Sequence, residues 1–342
     1  MNRLSFFKST HDLAHLLGVK NSFYAREVLR FMKESIENDL FSYARSKSRV
    51  RLSRKKFSRQ GKHLSGDITS KLLGLGEKRI RARIVAKSSG ILAGVQEISF
   101  FLGKIHSPIG KIQCTFLKKD GASVHKGHTI AIFHGKAADI FALERTMLNL
   151  LQRMSGIATF TAKFVQKVPS SVLVTPTRKT FWGLFDKRAC CVGGAGTHRL
   201  HLSDAVLIKD THLDTLQSDF RQILQKIFRA GIQKKRARFI EIELEKPKDA
   251  LEVARLYHQL YKKQKKTSLF IMLDNMKPER IATVIKKIRD TYSALPIFFE
   301  ASGGINLKNI QSYSKTGAHI LSIGALTHSA PALDFSLKVI KS

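Results

Sequence analysis

Six short apolar segments in the second half of the chain recur roughly every 23–35 residues, at Val172–Val174, Ala205–Ile208, Ile240–Leu244, Leu269–Leu273, Ile297–Phe299 and Ile320–Ile323. Helical stretches such as 248–261 and 277–290 lie between them. This is a βα repeat. Parallel strands need a crossover long enough to hold a helix, so the pattern predicts a parallel sheet or barrel. A doubly wound sheet is the alternative, but no Gly-x-Gly-x-x-Gly follows an early strand.

The first half reads differently. Residues 22–39 carry Phe23, Val28, Leu29, Phe31, Met32 and Ile36 at helical spacing. Short alternating runs at 83–86, 112–116 and 129–133, separated by Asp120-Gly121 and Lys126-Gly127, predict a small antiparallel sheet. A helix follows from Ala142 to Phe164, with Leu143, Met147, Leu150, Leu151, Met154 and Ile157 as its apolar stripe.

Composition narrows the function classes. At 43% hydrophobic residues over 342 positions the chain can bury a core, and no apolar run approaches the roughly 20 residues that span a bilayer. The N-terminus lacks a long apolar core and a small-residue cleavage site, so no secretory signal is expected. Cys114, Cys190 and Cys191 form neither a zinc spacing nor a disulfide framework, which fits a reducing cytoplasm. The net charge of +34 predicts attraction to polyanions. Nine of those cations lie between Phe41 and Gly66 with no Asp or Glu. A solvated loop is the preferred reading of that stretch, and nucleic-acid contact is the alternative.

Barrel enzymes carry reactive groups at the carboxyl ends of strands. Here Thr177-Arg178-Lys179-Thr180, Lys209-Asp210, Asp274-Asn275 and Glu300 each follow a predicted strand. His198-Arg199 follows the Gly-rich run 193–196. In Ile240-Glu241-Ile242-Glu243-Leu244-Glu245 the three glutamates share one face. Inside a barrel they need cations or a metal, because unpaired buried charge is costly. Gly-bearing turns at 301–304 and 324–327 suit a phosphate held by backbone N–H groups. Clustered cations with a few carboxylates at strand ends point to a phosphorylated sugar and a small anionic partner.

These residues also carry a resemblance. Glu144–Asn149, Gln152–Thr159, Thr177-Arg178-Lys179-Thr180, His198-Arg199, Leu207-Ile208-Lys209-Asp210, Leu273-Asp274-Asn275 and Glu300-Ala301-Ser302-Gly303-Gly304 resemble the quinolinate phosphoribosyltransferase family, as does the tail from Gly324 through Pro331. The likeness runs from about residue 22 to the C-terminus. It implies an N-terminal α/β sandwich plus an incomplete (β/α) barrel of type II phosphoribosyltransferase kind. The expected division is 1–140 and 141–330, with 331–342 packed back on the first domain. It further implies a cytoplasmic homodimer, possibly of higher order, whose shared sites convert quinolinate and phosphoribosyl pyrophosphate to nicotinate mononucleotide, carbon dioxide and pyrophosphate for NAD synthesis, with magnesium.

Carried over by position, Arg145 reaches the partner's site, and Arg178, His198, Arg199 and Lys209 hold quinolinate. Lys179 lies near both substrates. Glu243 and Asp274 face ribose and metal. Ser302, Gly303 and Gly324 take the 5-phosphate. The chain departs from the family pattern at Phe181-Trp182, at Thr211 and in the basic insertion 41–62. A same-fold relative using another acid such as nicotinate, and a non-catalytic polyanion binder, are the competing expectations.

Overall fold

The computed structural model describes residues 10–40, 67–105, 112–229, 237–261 and 268–341, so the basic stretch 41–62 lies outside the described residues. The chain forms two compact units. One joins Leu16–Thr159 with Pro331–Ser342, and the other joins the residues through His15 with Phe160–Ala330. The division therefore falls at 159/160, not at 140, and the segment ending at His15 goes with the later unit. The cause is a continuous 29-residue helix, Ala137–Val165, with no break at 140. Ser155 and Thr159 on it accept hydrogen bonds from the amides of Ala93 and Ile91, which holds the helix to the earlier unit through Thr159.

That earlier unit contains helices α1 (Ser22–Leu40), α2 (Ile68–Leu72), α3 (Val95–Lys104) and the long α4 (Ala137–Val165). Its strands are β1 (Arg79–Ala86), β2 (Gly90–Ile91), β3 (Gln113–Phe116), β4 (Ser123–Val124), β5 (Thr129–Lys136) and the tail strand Phe335–Val339, which is β12 in chain order. The main sheet is antiparallel in the order β12-β1-β5-β3. The buried face of α1 is Tyr24, Val28, Met32, Ile36 and Leu40, a strict four-residue repeat, while Phe23 is exposed. Val28, Met32 and Ile36 are buried as expected and Leu29 and Phe31 are half-buried, while Tyr24, whose hydroxyl donates to buried Glu97 at 2.7 Å, takes the place expected of Phe23. Gly156 interrupts the apolar run of α4, where glycine costs about 1 kcal/mol relative to alanine. A Cβ there would collide with the Pro331 carbonyl, so the glycine admits the tail.

The later unit is built on six parallel strands: β6 (Leu173–Pro176), β7 (Val206–Ile208), β8 (Ile240–Leu244), β9 (Leu269–Asp274), β10 (Ile297–Ser302) and β11 (Ile320–Ile323). Helices α5 (Leu184–Val192), α6 (Asp210–Leu216), α7 (Phe220–Arg229), α8 (Pro247–Tyr261), α9 (Pro278–Tyr292), α10 (Ile310–Ser314) and α11 (Ala325–His328) follow in alternation. The sheet order is β6-β11-β10-β9-β8-β7. That is a cyclic order with one missing pairing, between β6 and β7, so the barrel is incomplete. Leu173, Ala205, Phe239, Phe270, Phe298 and Ile320, one from the start of each strand, form a buried layer at the amino end. α9 shows the local logic. Pro278 opens it, and Ile281, Val284, Ile285 and Ile288 bury one face at helical spacing.

Candidate active site

A cavity of about 380 Å³ opens at the carboxyl ends of the six strands. After β6 it is lined by Thr177, Arg178 and Lys179, and the β7 side contributes Leu207 and Lys209. Glu243 comes from β8, Met272 and Asp274 from β9, Glu300 and Ser302 from β10, and Ser322 from β11. His198 and Arg199 complete the lining. Eight of the eleven residues expected from sequence therefore converge. Gly303 and Gly324 are not on the lining. Gly303 has φ +86°, and a Cβ on it would collide with Asn275. Gly324 caps α11, whose Thr327 hydroxyl donates to the Lys179 carbonyl at 2.7 Å and so fixes that loop. Arg145 is exposed on α4, in the other unit. A second cavity of about 280 Å³, beside Arg289, Phe298 and His319, contains none of the expected residues.

The alternation of β8 separates its glutamates by depth. Glu245 is exposed, Glu243 is half-buried and Glu241 is fully buried. Glu243 accepts from the Lys209 ammonium at 2.6 Å. Arg178 and Arg199 repel each other, and burial also holds the Arg199 pKa below its ordinary value. Two neighbouring guanidiniums with Lys179 beside them make a receptor for a compact dianion.

Below them lies a buried charge cluster. His198 Nε2 is 3.2 Å from Glu300 and 3.4 Å from Glu241. His11, also fully buried, brings a ring nitrogen to the same group, and ligand-type atoms of the four side chains lie within 4.8 Å of one another. The composition would suit a transition metal, but the tautomer does not. A metal-bound imidazole donates its second nitrogen's hydrogen, whereas His198 Nδ1 accepts the Arg199 amide at 2.7 Å. The ring's hydrogen is therefore on Nε2, between the carboxylates.

Charge and geometry compete over a second proton. Burial disfavours an imidazolium, yet Glu300 and Glu241 outweigh it and push the pKa up to about 9. A doubly protonated ring would aim a donor at the Arg199 amide, so geometry decides for the neutral form. The carboxylates then hold the remaining proton. Burial and the neighbouring Glu300 push Glu241 up to about 7. Glu300, which burial also pushes up, is held below its ordinary value by His198. His198 Nδ1 is thus tied to the Arg199 amide, and Nε2 faces the two carboxylates.

Two buried residues escaped the sequence reading. Lys187, on α5, is 2% exposed and donates to the Thr197 carbonyl at 2.6 Å. Burial lowers its pKa to about 8. His11 stacks on Phe239 at 4.0 Å and sits edge-on to His198 at 5.0 Å. Burial and then His198 hold its pKa well below the ordinary value.

Comparison with known proteins agrees with this geometry. Residues 67–155 match the N-terminal domain, and residues 157–338 the C-terminal domain, of quinolinate phosphoribosyl transferase. The chain belongs to the quinolinate phosphoribosyltransferase family. It is 35% identical over 281 residues to a probable nicotinate-nucleotide pyrophosphorylase (carboxylating) of Archaeoglobus fulgidus, covering 81% of this chain and 99% of that one. The corresponding Bacillus subtilis protein is 36% identical over 281 residues, covering 81% and 89%. The crystal structure of NadC from Streptococcus pyogenes superposes with a TM-score of 0.72 at 27% identity, covering 92% of this chain and 98% of that chain.

Proposed function

We propose that this family member transfers the phosphoribosyl group of phosphoribosyl pyrophosphate to the ring nitrogen of quinolinate, releasing pyrophosphate and then carbon dioxide to give nicotinate mononucleotide for NAD synthesis. The observation that carries this is the nearness of Arg178 to Arg199 in a cavity also lined by Lys179, Glu243 and Asp274. The cations suit the two adjacent carboxylates of quinolinate. The carboxylates suit the positive charge that develops at the anomeric carbon as pyrophosphate departs.

The pyridine nitrogen forms the new bond to that carbon while the carbon–oxygen bond to pyrophosphate breaks. The ring is then cationic and accepts the electron pair of the bond to the 2-carboxylate as carbon dioxide leaves. A proton from solvent completes C2. Positioning and electrostatics supply the catalysis, with no covalent protein nucleophile. Lys209, paired with Glu243, adds a further cation to the same cavity. Ser302 and the turns at Gly303 and Gly324 receive the 5-phosphate.

Glu243 and Asp274 offer hard oxygen donors suited to magnesium, which keeps waters and takes phosphate oxygens as its other ligands. When bound there, the metal would neutralise charge on the pyrophosphate. No helix among the described residues is long and apolar enough to cross a membrane. We place the reaction in the cytoplasm and the active form as a homodimer in which Arg145 completes the partner's site.

The test is incubation with quinolinate, phosphoribosyl pyrophosphate and magnesium, reading nicotinate mononucleotide and carbon dioxide, with nicotinate as the parallel substrate. Turnover of quinolinate alone is expected. Equal use of nicotinate without carbon dioxide release would assign the chain to another acid. Mixing inactive Arg145→Ala and Lys179→Ala proteins should restore part of the activity if sites are shared, and none if each subunit is self-sufficient.

A further inference from the structure

The segment Thr10–Leu13 lies outside both spans matched by the family models, which begin at residue 67, yet it packs against the loop that carries Arg199. On the open edge of β6 the Gly196 amide donates to the Val174 carbonyl at 2.9 Å. One step along, the amides of Thr197 and His198 both donate to the His11 carbonyl, at 2.9 and 2.8 Å. The Leu13 amide donates to the Thr197 hydroxyl at 2.9 Å, and that hydroxyl reaches the His11 and His198 carbonyls at 3.2 and 2.7 Å. Thr10, His11 and Leu13 are all buried.

Two features show that the loop is built around this arm. A Cβ at Gly196 would stand 2.9 Å from the His11 carbonyl and 3.2 Å from Leu173, so only glycine allows the approach. His198 has φ +52°, a left-handed conformation that a histidine adopts at a cost. Its amide is held there by the His11 carbonyl, while the His11 ring, wedged against Phe239 and Phe270, bounds the space around the imidazole.

We propose that the N-terminal arm is a working part of the substrate pocket, with His11 as a positioning residue that fixes His198 and thereby aims Arg199 at the carboxylates of the acidic substrate. The arm braces the loop that lies along the open edge of β6, next to where a carboxylate is received. This rests on the function proposed above for the choice of substrate, but not for the arm's grip on the loop.

The experiment compares wild type, a chain lacking residues 1–13, and Thr197→Val, which keeps the arm but removes the hydroxyl that ties it down. Misplacing a binding group by about 1 Å can cost on the order of 100-fold. Truncation should therefore lower kcat/KM for quinolinate by roughly that factor, mostly through KM, with KM for phosphoribosyl pyrophosphate unchanged. A synthetic peptide of residues 10–20 added in excess should recover part of the loss. Thr197→Val should move the same constant in the same direction by a smaller factor.

If the truncated chain does not fold, Thr197→Val alone decides. Wild-type quinolinate constants in that variant, or losses shared equally by both substrates, overturn the proposal. Should wild type fail to turn over quinolinate, the functional reading is at fault. The arm is then judged by the affinity of phthalate, an inert dianion with the same adjacent carboxylates, which truncation must weaken.

Discussion

The rim and the floor of the pocket hold the same chemical groups under opposite constraints. At the rim, Lys209 and Glu243 face one another with side chains 40% and 21% exposed. Two residues earlier on the same strand face, Glu241 is fully buried with His198 and Glu300. Water near the rim screens its charges, so a side chain there can be changed with little effect on folding. The floor is almost fully buried, so removing one member leaves the others poorly paired in a low dielectric. Depth along β8, not residue type, decides which glutamate faces the cavity and which joins the buried cluster.

The largest contrast is expected from His198→Ala. It removes the ring N–H that faces both Glu241 and Glu300 and leaves only the proton the carboxylates share, and an unsatisfied buried polar group costs about 1–3 kcal/mol, more when it is charged. Urea denaturation should show that drop in unfolding free energy. A loss within about 0.5 kcal/mol, the size usual for surface changes, would mean the floor is not what we describe.

Next come Lys179→Ala and Glu243→Ala at the rim. Each should cut turnover by roughly 100-fold or more, the scale of losing one electrostatic contact to a transition state, while thermal melting stays near that of wild type. Wild-type rates in both would remove these residues from the chemistry.

The smallest effect is a pH dependence. Glu241 has an ordinary value of 4.5 and a folded value of about 7. A group raised on folding binds more protons in the native state, so its stabilising contribution is complete below 4.5 and is lost as pH rises through about 7. Glu241→Gln should flatten that part of the stability–pH curve, read as urea midpoints between pH 4.5 and 8. An unchanged slope would place the floor's proton elsewhere.

Much of the rim was legible in the sequence because strand ends are marked by composition. An apolar run that stops at Lys209, Glu243 or Asp274 announces both the element and the face from which its side chain reaches out. The floor was less legible. Alternation put Glu241, Glu243 and Glu245 on one face but could not rank their depth, which depends on how far each strand extends beyond the buried layer that includes Phe239 and Phe270. The surroundings of His198 were not legible, because nothing local shows the carboxylates that two other strands bring to within 3.2 and 3.4 Å of its ring. No local pattern distinguishes Lys187 from the chain's other lysines. His11 lies 187 residues before His198, and its contribution is largely its backbone carbonyl, which no side-chain pattern encodes. In α1 Val28, Met32 and Ile36 were legible from periodicity, while in the first turn Tyr24, which has a buried acceptor, is buried in place of Phe23.

The exchange of chain ends between the two units has a consequence for synthesis. A ribosome makes the arm at His11 long before its partners at Thr197 and His198, and it makes β12 last of all. Until residues 335–339 emerge, β1 lacks its neighbour on one side, and an unpaired strand edge is a template for aggregation. A chain that stops short of Phe335 should therefore be insoluble while still containing every residue that lines the cavity.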